Sequence, residues 1–168
     1  IHDINEIERI VAQVGEGTVH RLWEPLKEKQ NPSSPYGAKF SVPYCIAVGL
    51  IDGQAGLKQF TNLRLKDLDV INLSSKVIYE INPKDEYPKN YTGDITIYKK
   101  NGEKISSSQN CLRGGRKAPL LKDEIYNKFE ANLKFSNIKS KEIDELKVFI
   151  NNIFKAENMN LLGKINFN

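Results

Sequence analysis

Side chains that bind metals or form disulfides are scarce in this 168-residue sequence, which contains two cysteines, Cys45 and Cys111, and two histidines, His2 and His20. Two cysteines are too few for a disulfide scaffold or for a zinc site of their own. The histidines are far apart in the sequence and match no metal-ligand spacing. A P-loop, a Rossmann glycine fingerprint and a Gly-x-Ser-x-Gly nucleophile motif are also missing. We therefore expect no metal and no cofactor.

Long apolar runs and a strong charge of one sign are absent as well. No run approaches the roughly 20 apolar residues of a membrane-spanning helix, and no signal peptide is visible, so we expect a cytoplasmic protein without membrane contact. The 25 basic and 21 acidic residues leave a formal charge of +4, too little for the phosphate contacts of nucleic-acid binding. The excess lies in residues 85–168, with its densest cluster at Arg113, Arg116 and Lys117.

Methionine is nearly absent, since Met159 is the only one and the chain begins Ile-His-Asp-Ile. This start leads us to expect a piece of a longer protein. The composition is otherwise ordinary for a globular domain, with 39% hydrophobic and 27% charged residues. The length is sufficient for one domain, or for a domain with an appended helical segment.

The strongest predicted element of the first half is a helix over residues 41–52. Ser41 can cap it by accepting a backbone N–H bond, Pro43 falls in its first turn, and Gly53 suits its C-terminal cap. Phe40, Tyr44, Ala47 and Ile51 then form one apolar stripe.

Three other segments of this half are less regular. Residues 6–14 favour a strand that stops at the glycines after it. Three prolines within residues 18–36 predict no regular element there, only an ordered loop or a short helix with a turn. A second helical segment is predicted over roughly 56–75, because apolar residues recur through it.

The second half changes period at residue 77. Residues 77–81 and 94–99 have the pattern of strands, and Asn101-Gly102 between extended segments predicts a β-hairpin. Apolar residues spaced by three and four predict helices over 122–134 and 139–154. The tail carries apolar residues that can dock on another surface: Leu161, Leu162, Ile165 and Phe167. This order predicts an α+β fold with a small, mostly antiparallel sheet covered by helices and followed by C-terminal helices.

Residue chemistry alone provides few catalytic candidates. Cys45 lies in an apolar helix with no histidine near it in sequence, which is typical of a buried, inert thiol. Tyr44 is either a core residue or a phenol that serves as an acid or as a donor to a carboxylate. Because no convincing general base is present, the chain is either a binding module or part of an enzyme whose other part carries the chemistry.

A resemblance rests on the segment Pro32–Gly53, PSSPYGAKFSVPYCIAVGLIDG. It resembles the segment that opens the main helix of the smaller domain in the MmgE/PrpD family, which includes 2-methylcitrate dehydratase, cis-aconitate decarboxylase and iminodisuccinate epimerase. The matching positions are Pro32, Ala38, Phe40, Ser41, Pro43, Tyr44, Ala47, Leu50, Asp52 and Gly53. Ser33 replaces a threonine, and Gly37 stands where an acidic residue is common, so no role of that carboxylate carries over. LKQFTNLRLKDLDVINLSSKVIYEIN, the hairpin DITIYKKNGEKIS and the segment GGRKAPLLKDEIYNKFEANL resemble later parts of the same domain, in order.

The resemblance implies a lid domain over residues 1–136 and a C-terminal helical segment over 137–168. That segment would pack on the family's larger all-helical domain, which precedes this one and carries the proton-transfer groups. The implied reaction is metal-free proton transfer next to a carboxylate of a small polycarboxylate, and the implied full-length assembly is a homodimer.

The resemblance also implies site residues. Tyr44 would give a hydrogen bond or a proton to the substrate, and four residues would bind its carboxylates: Lys39, Ser41, Arg116 and Lys117. The alternative for Ser41 is a helix cap only, for Lys39 a solvated side chain, and for Arg116 an ordinary loop cation.

Three interpretations remain open from the sequence. The chain is the C-terminal part of an MmgE/PrpD enzyme, inactive alone; or a stand-alone small-molecule-binding or regulatory module derived from the lid domain; or an unrelated α+β interaction protein. The first interpretation predicts an exposed apolar face over residues 139–167 of the isolated chain, with self-association or poor order there.

Overall fold

A computed structural model describes residues 3–164 of the chain, and the predicted apolar tail residues Ile165 and Phe167 lie outside that range. Four strands form one sheet in the order β2-β1-β3-β4. They are β1 (Ile7–Val14), β2 (Val77–Ile81), β3 (Gly93–Lys99) and β4 (Lys104–Gln109). β1 pairs in parallel with β2 and antiparallel with β3, and β3 pairs antiparallel with β4. The predicted α+β class and the hairpin at Asn101-Gly102 are confirmed.

Seven α-helices occur among the described residues. They are α1 (Glu16–Leu22), α2 (Leu26–Gln30), α3 (Pro35–Ala38), α4 (Val42–Asp52), α5 (Leu68–Ser74), α6 (Lys122–Phe135) and α7 (Ser140–Asn151). Helix α4 follows its prediction closely, because each local signal is used. The Ser41 hydroxyl accepts a hydrogen bond from the Tyr44 N–H at 3.0 Å, and Gly53 ends the helix with φ of 70°, in the left-handed region that glycine favours.

The prediction of no regular element over residues 18–36 is wrong in part. Three short helices lie there instead, α1, α2 and α3. Pro25 is the N-cap of α2 and Pro35 is in the first turn of α3. A backbone N–H at the start of a helix has no partner within the helix, so the N–H that proline lacks is not missed there. These prolines therefore start helices and do not prevent them.

The helical segment predicted over roughly 56–75 is present, but it is broken into three short pieces. Two 3₁₀ turns, Leu57–Gln59 and Arg64–Lys66, precede the short helix α5. The Asp67 side chain accepts a hydrogen bond from the Asp69 N–H at 3.0 Å and so begins a new helix at that point. The Thr61 hydroxyl accepts from the Arg64 N–H at 3.2 Å in the same way. These polar side chains compete with a helical backbone pattern.

The chain divides into two compact units, Ile1–Pro119 and Leu120–Asn168. The first unit packs one face of the sheet against the helices, around a core whose largest buried members include Ile7, Ile10, Trp23, Tyr44, Val48, Val70, Leu73 and Val77. The second unit has its own small core of Ile138, Ile143 and Leu146, with Phe129 and Leu133 packed against it. No helix in the described part of the chain is long and apolar enough to cross a membrane.

Candidate functional site

The start of helix α4 holds two of the predicted site residues, Ser41 and Tyr44. Ser41 is buried, and its hydroxyl both accepts from the Tyr44 N–H and donates to the main-chain carbonyl of Lys29. The serine therefore caps α4 and ties it to the end of α2. Its predicted role as a substrate ligand stays a prediction. In that role, a substrate carboxylate would have to displace the Lys29 carbonyl from this hydroxyl.

Tyr44 is 1% exposed, and its hydroxyl donates a hydrogen bond of 2.5 Å to the main-chain carbonyl of Gln59. Its ring lies 5.9 Å from the ring of Phe60. Burial raises the pKa of Tyr44 to about 12, against a smaller lowering by the Arg64 guanidinium. The phenol is thus protonated at neutral pH and suits a hydrogen-bond donor or an acid, not a base.

A chain of polar contacts continues from Gln59, the residue whose carbonyl accepts the hydrogen bond of the Tyr44 hydroxyl. The Gln59 amide donates to Asp52 at 2.9 Å, and Asp52 pairs with Arg64 at 2.6 Å. The second guanidinium nitrogen of Arg64 pairs with Asp67 at 2.5 Å. This Asp52–Arg64–Asp67 cluster joins the end of α4 to the start of α5, and it fixes the segment that holds the Tyr44 hydroxyl.

Lys39 lies at the end of α3, two residues before the α4 cap, and its side chain is exposed. Two further cations lie at this end of α4, although the sequence analysis did not single them out. Arg21 places its guanidinium 5.0 Å from the centre of the Phe40 ring. Lys29 donates to the main-chain carbonyls of Arg21 and Phe40, at 2.7 and 2.8 Å. Arg21 belongs to α1, which was not predicted because the prolines of residues 18–36 indicated no regular element there. The position of Arg21 near the α4 cap could therefore not be predicted either.

Arg116 and Lys117 are exposed in the turn that follows β4. Hydrogen bonds from Gly114 to Ala118 and from Gly115 to Leu112 close this turn. Within residues 3–164 no hydrogen bond or ion pair links either cation to the α4 terminus. Lys39, Ser41 and Tyr44 therefore lie close in sequence at the start of α4, but the Ser41 and Tyr44 hydroxyls bind different main-chain carbonyls, those of Lys29 and Gln59. The association of these residues with one another and with Arg116 and Lys117 around a substrate stays a prediction.

Cys45 is next to Tyr44 on α4, and its thiol lies 3.7 Å from the main-chain carbonyl of Ala38. Burial raises its pKa to about 11. Such a thiol is almost wholly protonated at neutral pH, which fits the expectation of an unreactive cysteine. Among residues 3–164, no group of three or more His, Cys, Asp or Glu side chains is placed to hold a metal ion.

A cavity of about 260 Å³ lies in the first unit, and none of the predicted site residues lines it. Its walls come from the end of β1, from α1, from the first turns of α4 and from the loop between β2 and β3. Because these segments are distant in sequence, no single sequence motif predicts the cavity. The aromatic and acidic residues of the loop between β2 and β3 are the one local pattern in the sequence that belongs to it.

Comparisons with known proteins agree with the resemblance seen in the sequence. The sequence model of the MmgE/PrpD C-terminal domain matches residues 1–151. Cis-aconitate decarboxylase of Mus musculus is 28% identical over 130 residues, which cover 76% of this chain and 25% of the mouse protein. The chain thus spans about a quarter of the length of this curated relative.

Proposed function

Because the chain belongs to the MmgE/PrpD family, as its C-terminal domain, we propose that it is the C-terminal part of a lyase or isomerase acting on a small polycarboxylate. The reaction would be dehydration, decarboxylation or epimerisation by metal-free proton transfer next to a carboxylate. The observation that carries the proposal is the family match over residues 1–151. The similarity to a decarboxylase supports the same class of chemistry.

The α4 terminus supplies groups suited to this substrate class. Lys39, with Arg21 beside it at the same end of the helix, can attract carboxylates by charge. Tyr44 is protonated at neutral pH, so it can donate to a carboxylate or to a carbon-bound oxygen. To do so its hydroxyl must leave the Gln59 carbonyl, since a phenol has a single proton to donate.

The remaining parts of the proposal concern the whole protein. A larger all-helical domain would supply the proton-transfer groups, the C-terminal helices would pack on it, and the full-length protein would be a cytoplasmic homodimer. Arg116 and Lys117 would bind substrate carboxylates from their turn. The isolated 168 residues would then be inactive on cis-aconitate, 2-methylcitrate and iminodisuccinate.

A substrate screen by NMR in heavy water, on the full-length protein, tests the reaction class. Exchange of a proton alpha to a carboxylate reports the shared proton-transfer step, and the isolated chain is the control. Turnover by the isolated chain would overturn the division of the site between two domains. If the full-length protein exchanges no such proton in any polycarboxylate, a binding or regulatory module is the better interpretation.

Replacement of the tyrosine hydroxyl tests its role in that enzyme. We expect Tyr44→Phe to lower turnover by about 100-fold or more if the hydroxyl donates a proton, with a small loss of stability. Steady-state kinetics and thermal unfolding are measured on the same preparation. Tyr126→Phe is the control, because that hydroxyl belongs to the second unit. Unchanged turnover with a lower melting temperature would show that Tyr44 is only a core residue.

A further inference from the structure

The cavity of about 260 Å³ in the first unit has aromatic and apolar walls. Trp23, Tyr87 and Tyr91 supply aromatic rings, while Leu22, Val42 and Ile46 supply aliphatic surface. Trp23 is 2% exposed, whereas Tyr91 is half-exposed and stands at the rim. The Tyr87 and Tyr91 rings meet edge to face, with their centres 5.2 Å apart.

The loop that forms the outer wall is fixed by its own hydrogen bonds. The two carboxylate oxygens of Asp85 accept from the Tyr87 N–H at 2.8 Å and from the Thr92 hydroxyl at 2.7 Å. Asn90 ties the loop to the Asn110 carbonyl at 2.9 Å. The loop also lies so close to the start of α1 that a Cβ on Gly15 would come within 2.4 Å of Asp85. These hydrogen bonds and this close contact hold the outer wall of the cavity in one position.

The charge of the lining is negative. Asp85 is among the lining residues, which include no lysine, arginine or histidine. Asp94 also borders the cavity, but its side chain lies on the opposite face of the sheet, because it pairs with Gln13 and alternates with Ile95. The donors to Asp85 are neutral, so they orient its carboxylate and leave its charge uncompensated. A polycarboxylate substrate would be repelled here, whereas a cation would be attracted.

We propose that this cavity binds a small organic cation, an ammonium group carried on a compact apolar framework. Aromatic rings attract such cations through their negative faces, the Asp85 carboxylate adds charge, and the aliphatic wall accommodates the carbon framework. The volume lies between the ~150 Å³ of a void that holds benzene and the roughly 300 Å³ at which pockets for drug-sized ligands begin. This ligand would be additional to the proposed substrate.

Trp23 makes the proposal directly testable, because it is the only tryptophan in the chain and it lines the cavity. Its fluorescence is followed while the 168-residue protein is titrated with choline, with the neutral isostere 3,3-dimethyl-1-butanol, and with the anion tricarballylate. We expect choline to bind about tenfold more tightly than the alcohol and tricarballylate to give no saturable change. Equal binding of choline and the alcohol, tighter binding of the anion, or no saturable signal from choline would overturn the proposal.

Two variants with matched controls locate the site. Tyr91→Ala and Asp85→Asn should each weaken choline binding by about threefold or more. Tyr36→Ala is the control for the first, since Tyr36 is exposed and also contacts one ring, that of Phe40 at 5.2 Å. Asp69→Asn is the control for the second, because Asp69 is exposed and outside the lining. Circular dichroism verifies that each variant is folded. Equal weakening by a variant and its control would contradict the assignment, and this experiment does not depend on the proposed enzyme activity.

Discussion

At the scale of single residues, the hydroxyl of Tyr44 and the ion cluster behind it determine what the α4 terminus can do. The hydroxyl donates to a main-chain carbonyl, and the amide of the same residue, Gln59, contacts Asp52. Arg64 then joins Asp52 to Asp67. Because these side chains are largely removed from water, each contact weakens if its neighbour is lost. The position of a candidate catalytic phenol thus depends on an arginine twenty residues further along the chain.

Arg64→Met tests this dependence. The change leaves Asp52 and Asp67 without their shared cation, and we expect it to lower the free energy of unfolding by about 2 kcal/mol, below the cost for fully buried pairs since these side chains keep some exposure. Urea unfolding followed by Trp23 fluorescence measures it, because Trp23 belongs to the first unit.

Arg9→Met is the matched control for that variant. Arg9 pairs with Glu8 at 3.4 Å on the surface and covers the ring of Tyr98. Its loss should cost less than about 1 kcal/mol. If the free energy of unfolding falls equally in both variants, the Asp52–Arg64–Asp67 cluster stabilises the fold no more than a surface ion pair does.

At the scale of elements, the sequence predicted the features that depend on neighbouring residues. Helix α4 was predictable because Ser41, Pro43 and Gly53 act within one turn of its ends. The hairpin was predictable because Asn101-Gly102 suits a tight turn. The break between residues 56 and 75 was not, since it depends on side chains that pair with the backbone locally in place of a helical bond.

The candidate site was less predictable than the elements that carry it. Ser41 and Tyr44 could be identified by their place in a motif, but the acceptor for Tyr44 is a main-chain carbonyl fifteen residues away, which side-chain patterns do not encode. Arg21 meets Phe40 only because the folded chain brings α1 to the residue that precedes the α4 cap. The cavity combines segments that are about 80 residues apart in sequence.

The stability of helices α6 and α7 should depend on pH through the carboxylate of Glu130. Its carboxylate accepts hydrogen bonds from Lys134, at 2.5 Å, and from Lys147, and these bonds lower its pKa to about 2. A carboxylate whose pKa is lower when folded stabilises the fold above its ordinary value near 4.5, and this contribution is lost as the pH falls from there toward 2. We therefore expect the stability of α6 and α7 to decrease across that range.

Amide hydrogen exchange of α6 and α7, measured as the pH is lowered, tests this. Glu130→Gln should remove most of the pH dependence, since the amide cannot ionise. Glu145→Gln should leave it in place, because Glu145 meets Lys141 only at 3.9 Å. The same pH profile in the wild-type protein and in Glu130→Gln would show that other carboxylates govern it.

At the scale of the whole molecule, the two units differ in how well they bury their apolar residues. The first has a contiguous core that includes the sheet and the helices. Among the residues of the second that the structure describes, three apolar side chains form the buried core, and a unit this short is marginal by itself. Its exposed apolar residues include Val148, Ile150, Ile153, Phe154, Met159 and Leu162. Within the proposed longer protein, these residues would be covered by the all-helical domain.

In the 168-residue chain this surface has no such cover, so we expect concentration-dependent self-association. Val148 is 64% exposed and Phe154 fully exposed, and replacing both with glutamate should shift the chain toward monomer, because a charge opposes burial of this surface. Sedimentation velocity over a concentration series measures the shift. Leu63→Glu is the matched control, since Leu63 is 84% exposed but belongs to the first unit. A wild-type chain that stays monomeric throughout the series, or one that Leu63→Glu dissociates equally well, would show that the surface of the second unit does not drive association.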